Sequence, residues 1–565
     1  MTSAIPKPKS LPDLARAAWP FVTEYLRSLD RRVAVALLVA GTIAVITGPI
    51  VQTYVNKQGG AMITALSTRN GALLHHEIVV FAVILAFFVP FGIAQTYLPD
   101  LLANHWRRHL THRLLGNYFT GRGYYRVAER HEIDNPDQRI SEDVSTFTGG
   151  AISLFNAVVG AVVGLVAPAV AIFRIDATLL WTVVLYASVG TAIGLFVFQG
   201  RLRRLNFAVL RRQADLRFGL IRVRDEAESI AFYQGERDED AALHERLDAV
   251  IDVNIGIARW QYFFLSAYSA LLQNLPIVLP ILVLGPRVLA KTMPVGTVLE
   301  VAGDVALAVG SLSVLIAALG NIGQLSAVIE RLSTMLAAMT AADAGPRIVT
   351  REAPALELER VTIFTPDRRR ELVRELSFAL ARGARILVRG PSGSGKSSLL
   401  RVIAGLWTAG TGTLAEPPLE RLFFLPQAPY MIGGSLREEL SYPRSAPLDD
   451  DAVLRAALAA VDLELLVERA GGLDGASDFG RVLSLGEQQR IAFARLLLAK
   501  PAYALLDEAT SALDAGRQTA VYRALARSTP SYLSVGHRPE LLQFHDDVLD
   551  LHEDGRWTLA SLRAA

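Results

Sequence analysis

Residues 390–398 read GPSGSGKSS. Gly390, Gly395, Lys396 and Ser397 fill the fixed positions of G-x-x-x-x-G-K-[ST], and the intervening Pro391, Ser392, Gly393 and Ser394 complete the loop, with Ser398 following. An apolar, strand-like run at 384–388 precedes it and a helical one follows, which is the strand, loop, helix context the pattern requires. Its glycines let backbone N–H groups wrap a phosphate chain. The helix start favours negative charge, Lys396 reaches the outer phosphates, and Ser397 can ligate a magnesium ion. This stretch sets an α/β nucleotide-binding fold for the C-terminal part.

The 565 residues leave room for two or three domains, and 51% of them are apolar, an excess over ordinary soluble proteins. The excess lies almost wholly before residue 325. A net charge of +2 points to no nucleic acid or other polyanion as partner. There is no cysteine, so disulfides and thiolate metal sites are excluded, in keeping with a cytoplasm-facing protein.

Residues 1–32 carry Pro6, Pro8 and Pro12 and then an Arg-bearing amphipathic segment with Trp19, Phe21 and Tyr25, expected along a bilayer surface. Six apolar segments follow at 33–55, 78–98, 151–173, 177–198, 262–284 and 298–319, each of a length to cross a bilayer as helix. The connection 99–149 holds seven arginines and 200–261 holds eleven, against Lys57 and Arg69, Arg174, and Arg287 and Lys291 in the alternate connections. Arg and Lys mark the cytoplasmic side, so both termini and the two long connections are placed there. Connections of that length should be structured. They read as membrane helices that run on into the cytoplasm and turn back. Asn135-Pro136 is expected to cap a short helix, Gly235 to stop another after Ile230-Ala231-Phe232-Tyr233, and the turns to touch another domain. Gly160 with Gly164, and Gly190 with Gly194, permit close helix approach. Glu300 and Asp304 share one face of the sixth segment, either as a solvated interfacial pair or as an acidic patch on a water-filled path. Gln273 and Asn274 either line such a path or bond between helices.

Past a small-residue and proline linker at 341–354, short strand-like runs alternate with helical ones over 355–565. Four stations follow the phosphate loop in order. Gln427 comes after a strand at 422–425; Leu483-Ser484-Leu485-Gly486-Glu487-Gln488 precedes a helix; a buried strand at 504–506 ends in Asp507-Glu508; another at 533–535 ends in Gly536-His537.

The order of these blocks resembles the ATP-binding cassette of ABC transporters over residues 356–551. The resemblance implies ATP and Mg2+ as cofactors. Lys396 and the loop amides would hold the β and γ phosphates, Ser397 and Asp507 the magnesium, and Gln427 would sense metal and attacking water. Glu508 would act as general base, and His537 would contact the γ phosphate. Phe364 is the candidate for adenine stacking, against an ordinary core role. Ser484, Gly486 and Glu487 would act across a dimer interface, and Ser511-Ala512-Leu513-Asp514 would meet the partner cassette. Leu485 and Glu487 depart from the commonest signature, which has glycine and glutamine there.

Asn135-Pro136-Asp137-Gln138-Arg139-Ile140, Glu226-Ala227-Glu228-Ser229-Ile230-Ala231-Phe232-Tyr233 with Gly235, and 483–490 together resemble the bacterial SbmA/BacA-related transporters with a fused cassette, relatives of ABC subfamily D. The resemblance implies a half-transporter of six membrane helices on the exporter-like type IV plan, followed by the P-loop domain. It implies a homodimer in the bacterial cytoplasmic membrane that moves peptides or other bulky hydrophilic solutes, cobalamin among them, with uptake as the favoured direction. Lipid or acyl-CoA transport is the alternative, and an ATP-gated channel or sensor a further one. The six apolar segments exclude a soluble cassette protein.

Overall fold

The computed structural model describes residues 11–562 except 29, 130–132, 195–196, 198–199, 321, 341–344, 445–447 and 530. The chain divides into two compact units, Met1–Ala341 and Ala342–Ala565.

Among its described residues the first unit is helical, apart from the turns between helices. Five of its helical runs are long and apolar enough to cross a membrane, within Arg31–Ser67, Gly71–Ala128, Pro136–Ile175, Glu236–Leu289 and Val295–Leu315. The remaining expected segment begins as the 17-residue helix Ala177–Ile193, and its end falls partly outside the described residues. The long connections are helical, as their length demands. Gly71–Phe119 continues well past the apolar stretch, and Gly200–Asp225, Ala227–Tyr233 and Glu236–Ala258 form the second excursion.

Three local expectations are corrected. Pro136 does open the short helix Pro136–Gln138, but Asn135 sits at φ 41° and its side chain makes no capping bond. Gln234, at φ 53°, takes the left-handed position that ends Ala227–Tyr233, while Gly235 at φ −86° caps the next helix. The chain reverses so abruptly that the glycine begins a helix where it was expected to end one. Of the lead-in helix Leu11–Arg27, Trp19 is exposed, yet Phe21 and Tyr25 are buried. Tyr25 stacks on Trp106 at 5.5 Å and Trp106 meets Phe147 edge-on at 5.0 Å. Those two aromatics therefore anchor the helix to protein, not to lipid.

The small-residue spacings act as expected. A methyl group at Gly164 would lie 2.1 Å from the Ser311 hydroxyl, and one at Gly190 would lie 2.4 Å from Leu272. Asn274 bonds the Ala270 carbonyl of its own helix at 2.8 Å; the Gln273 side chain lies outside the described residues.

The second unit is built on two sheets. Its strands are β1 (Val349–Glu352), β2 (Leu356–Phe364), β3 (Glu371–Leu380), β4 (Arg385–Arg389), β5 (Gly410–Glu416), β6 (Leu422–Leu425), the two-residue β7 (Gly434–Ser435) and β8 (Ala476–Ser477), β9 (Tyr503–Asp507), β10 (Ser531–Val535), β11 (Asp547–Leu551) and β12 (Trp557–Ser561). One sheet has the order β1-β5-β2-β3 and the other β12-β11-β4-β10-β9-β6. Because β1 pairs with β5, the expected linker 341–354 contributes a strand to the second unit and is correspondingly shorter.

In the six-stranded sheet β11, β4, β10, β9 and β6 run parallel. Val388 pairs with Val535, Val535 with Asp507, and Leu506 with Leu425. Parallel register therefore brings the segments after β4, β6, β9 and β10 to one carboxyl edge, where α/β sheets bind ligands.

At the amino-terminal start of β10, Tyr532 packs together with Tyr522, Phe544 and His545. Burial drives the His545 imidazole down to about 4, and its Nδ1 bonds the Leu541 carbonyl at 2.7 Å. The unfolded chain protonates this residue near its ordinary value while the folded one resists. Its contribution is thus undiminished above that value, falls as the pH drops below it, and stops falling near the folded value. The whole loss is about 3 kcal/mol. Thermal unfolding of the cassette should show it as an acid-side fall in midpoint that His545→Gln flattens; an unchanged acid limb in that variant would refute the assignment.

Candidate functional site

The loop after β4 is shaped by its glycines. Gly390, Gly393 and Gly395 lie at φ 149°, 80° and 95°, a region costly for residues with a Cβ. At Gly390 a Cβ would also sit 2.3 Å from the Leu551 carbonyl. The helix Lys396–Ile403 starts directly after the loop, so its first N–H groups face the same concavity.

Inside it, the Lys396 ammonium donates to the carbonyls of Gly390 at 2.8 Å and Pro391 at 2.7 Å. The buried Ser394 hydroxyl has no partner among the described residues. Pro391, Ser392 and Gly393 are exposed at the rim, and Ser398 is buried beneath. A cradle of amides, an ammonium and an unpaired hydroxyl fits a polyphosphate.

Ser397 Oγ donates to Asp507 at 3.3 Å. Burial pushes the Asp507 carboxyl up and the Lys396 ammonium down from their ordinary values. Each would gain from an opposite charge in the loop. One hydroxyl and one carboxylate are the hard-oxygen set that magnesium takes from protein when phosphates and water complete its shell. No cluster of three or more His, Cys, Asp or Glu capable of a closed metal site occurs among the described residues.

Glu508 follows at φ 47°, and its N–H bonds the Val535 carbonyl at 3.2 Å. Its carboxylate lies between the Gln427 amide, 3.2 Å away, and His537 Nε2, also 3.2 Å away. The expected constellation of Lys396, Ser397, Gln427, Asp507, Glu508 and His537 thus converges on one edge. A carboxylate presented this way can accept a proton from a water beside the loop.

Two residues that sequence reasoning missed hold these parts together. Gln489, almost wholly buried, donates to the Gln427 carbonyl at 2.9 Å and the Ser511 hydroxyl at 3.1 Å, and accepts from the Ala512 N–H at 3.1 Å. Arg538 bonds the carbonyls of Leu513 and Ser511 at 2.6 and 2.9 Å. Glutamine and arginine in polar segments give no sequence signal of such cross-links.

The remaining expected residues lie apart. Ser484 caps the helix Leu485–Ala499 in a capping box with Glu487, whose carboxylate also pairs with Arg469 at 2.6 Å. Although burial works against it, these partners hold the Glu487 carboxyl below its usual range. Glu487 thereby supports Ser484 at the start of that helix. Gly486 faces the Ala512 carbonyl, 3.0 Å from where a Cβ would be. No hydrogen bond or ion pair among the described residues joins Ser484 or Gly486 to the phosphate loop or to Glu508. Phe364, half-buried at the end of β2, offers its carbonyl to Trp407 Nε1 at 2.9 Å.

Fold and site together define an ATP-hydrolysing cassette joined to a membrane-spanning helical domain. Residues 25–289 match the family description ABC transporter transmembrane region 2, and residues 373–511 match ABC transporter. The chain is 38% identical over 518 residues to an uncharacterized ABC transporter ATP-binding protein of Synechocystis, covering 88% of this chain and 77% of that one. It is 31% identical over 636 residues to the chloroplastic ABC transporter D family member 2 of Arabidopsis thaliana, covering 97% and 89%. It is also 31% identical over 511 residues to the human lysosomal cobalamin transporter ABCD4, covering 82% of each chain. The chain belongs to the ABC transporter family, as a half-transporter whose homologues include D family members. It is a transport ATPase.

Proposed function

We propose that two copies of this chain form a homodimeric importer of peptides or other bulky hydrophilic solutes in a bacterial cytoplasmic membrane, with both termini inside. The observation that carries the solute class is a cavity of about 470 Å³ among the membrane helices. Gln95, Thr96, Ser153, Asn156 and Ser311 give amide and hydroxyl groups to a wall otherwise made apolar by residues such as Val45, Ile152 and Val314, Asp100 adds an acid, and among the described residues no lysine or arginine lines it. Such a wall suits a neutral or cationic hydrogen-bonding solute. The phosphates of an acyl-CoA, the alternative cargo, would find no cation there. A relative named as a cobalamin transporter is compatible with this reading.

In the catalytic cycle Lys396 turns from the Gly390 and Pro391 carbonyls to the β and γ phosphates, and the loop amides and Ser394 complete the cradle. Ser397 and Asp507 would hold Mg2+, which supplies charge neutralisation at those phosphates. Glu508 takes the proton of the attacking water, Gln427 and His537 position it, and His537 also meets the γ phosphate. Phe364 stacks on adenine. Ser484 and Gly486 serve the partner's nucleotide, which gives closure its dependence on ATP. Phe232 and Tyr233, 79% and 87% exposed at the tip of a helical excursion, receive that closure from a cassette.

ATP hydrolysis in lipid nanodiscs, measured above a Glu508→Gln background, tests the solute class. A cationic peptide or cobalamin should stimulate it and a long-chain acyl-CoA should not. Stimulation by acyl-CoA alone would transfer the assignment to lipid transport. ATP-driven accumulation in oriented vesicles would exclude a gated channel or sensor, and its sign would give the direction.

A further inference from the structure

Asp304 lies within the membrane span of Val295–Gly320 and is completely buried. One carboxylate oxygen accepts from Asn56 Nδ2 at 2.9 Å, and the Asn56 oxygen is in turn fixed by Gln52 Nε2 at 3.1 Å. The other oxygen, Oδ2, is buried and has no hydrogen-bond partner. Room for this contact is made by Gly303, where a Cβ would fall 2.6 Å from Asn56 Cγ.

No cation balances the charge. Among the described residues no ion pair reaches Asp304. Lys57, exposed on the facing helix Arg31–Ser67, acts on Glu300, which lies one turn toward the outer end. Arg287 is held by Asp176 at 2.7 Å. The neighbours of Asp304 on its own helix, Val301 and Val305, pack on Ile172, Leu179 and Leu284. An ionised carboxylate here, with one bond and no counter-charge, would cost several kcal/mol. A neutral carboxyl group avoids that cost.

The same two helices meet again nearer the outer end. About 12 Å further out along Val295–Gly320, at 1.5 Å per residue, Gly60 and Gly296 touch backbone to backbone. A Cβ on Gly296 would lie 1.8 Å from the Gly60 carbonyl, and one on Gly60 would lie 2.5 Å from the Gly296 carbonyl. This crossing shuts the seam on its outer side. The cavity lies on the inner side, where Pro49 and Ser311 of the same helices line it.

The geometry points to Asp304 as a proton-binding site of the transport domain: Oδ2 takes a proton from outer water as the Gly60–Gly296 seam closes and returns it when the seam parts. Closure therefore consumes one proton per protomer, and acid favours the closed seam. The site is independent of which solute is carried, and its test reads the transport domain itself, not ATP turnover in the cassette.

The test has two readouts on the full chain in nanodiscs. Difference infrared spectroscopy should show the carbonyl band of a protonated, slowly exchanging carboxyl group at neutral pH. Asp304→Asn, which is isosteric and keeps an oxygen for Asn56, should remove it, and Glu300→Gln should not. Since the chain has no cysteine, spin labels at Ser67→Cys and Thr292→Cys report the outer ends. The separated population should rise several-fold from mildly acidic to mildly alkaline buffer, and in Asp304→Asn it should stay low and pH-independent. A carboxyl band that survives in Asp304→Asn would overturn the proposal. So would an unaltered pH response in that variant, or a seam that answers to Na+ or K+ at constant pH. A label distance that never changes with nucleotide would count against alternating access, while the infrared band would still decide the proton site.

Discussion

Glu508→Gln is expected to lower kcat for ATP by about 10²- to 10⁴-fold, the usual share of a general base, with nucleotide binding retained. The substitution keeps the shape and the contact to Gln427 that the carboxylate makes at 3.2 Å, and leaves Lys396, Ser397 and Asp507 untouched. What it removes is the capacity to take a proton beside His537. Binding should then outlive hydrolysis, so the variant should accumulate as a closed, ATP-loaded dimer. Single-turnover hydrolysis alongside equilibrium ATP binding separates the two effects. Turnover within a few-fold of the wild type would show that another group serves as base, and loss of binding would show that Glu508 shapes the loop.

Arg495→Ala should destabilise the cassette by about 3–5 kcal/mol, the cost of leaving a buried charge without its partner. Arg495 and Glu439 are 6% and 0% exposed and form a buried ion pair. Arg495 also donates to the carbonyls of Glu439 and Tyr430, each at 2.7 Å, and its guanidinium lies 5.4 Å from the Tyr442 ring centroid. Glu439 accepts from the Ile432 N–H at 3.2 Å. The pair thus ties the segment after Gln427 to the helix that Ser484 caps. Denaturant unfolding of the cassette checks the size of the effect. Removing both charges, in Arg495→Met with Glu439→Leu, should recover much of the loss, because no charge is then stranded. A single variant as stable as the wild type would mean that water reaches Glu439.

The cassette residues were legible because phosphate chemistry constrains type and spacing along the chain. Gly390, Lys396 and Ser397 are local to one loop, and Asp507, Glu508 and His537 end apolar runs that can only be buried strands. Gln489, Arg538 and the Arg495–Glu439 pair were not legible. Their partners lie 20 or more residues away, and polar residues on a helix or loop look alike whether they face water or a distant carbonyl. Membrane helices were readable from hydropathy, since unpaired backbone in lipid forces helix over the whole span. Which faces meet was not, because apolar side chains facing lipid and those facing protein have the same character. Phe21 and Tyr25 show this in the lead-in helix.

Glu300 and Asp304 mark the boundary most sharply. The sequence by itself determined that this protein joins a membrane-spanning helical domain to an ATP-hydrolysing cassette, because both rest on short-range regularities: apolar length and motif spacing. It also placed two carboxylates on one helical face. Only the tertiary structure decided that one of them is shut away against Asn56 behind the Gly60–Gly296 contact. Burial is a property of what packs against a residue, and here the partner Asn56 lies 248 positions away in the chain.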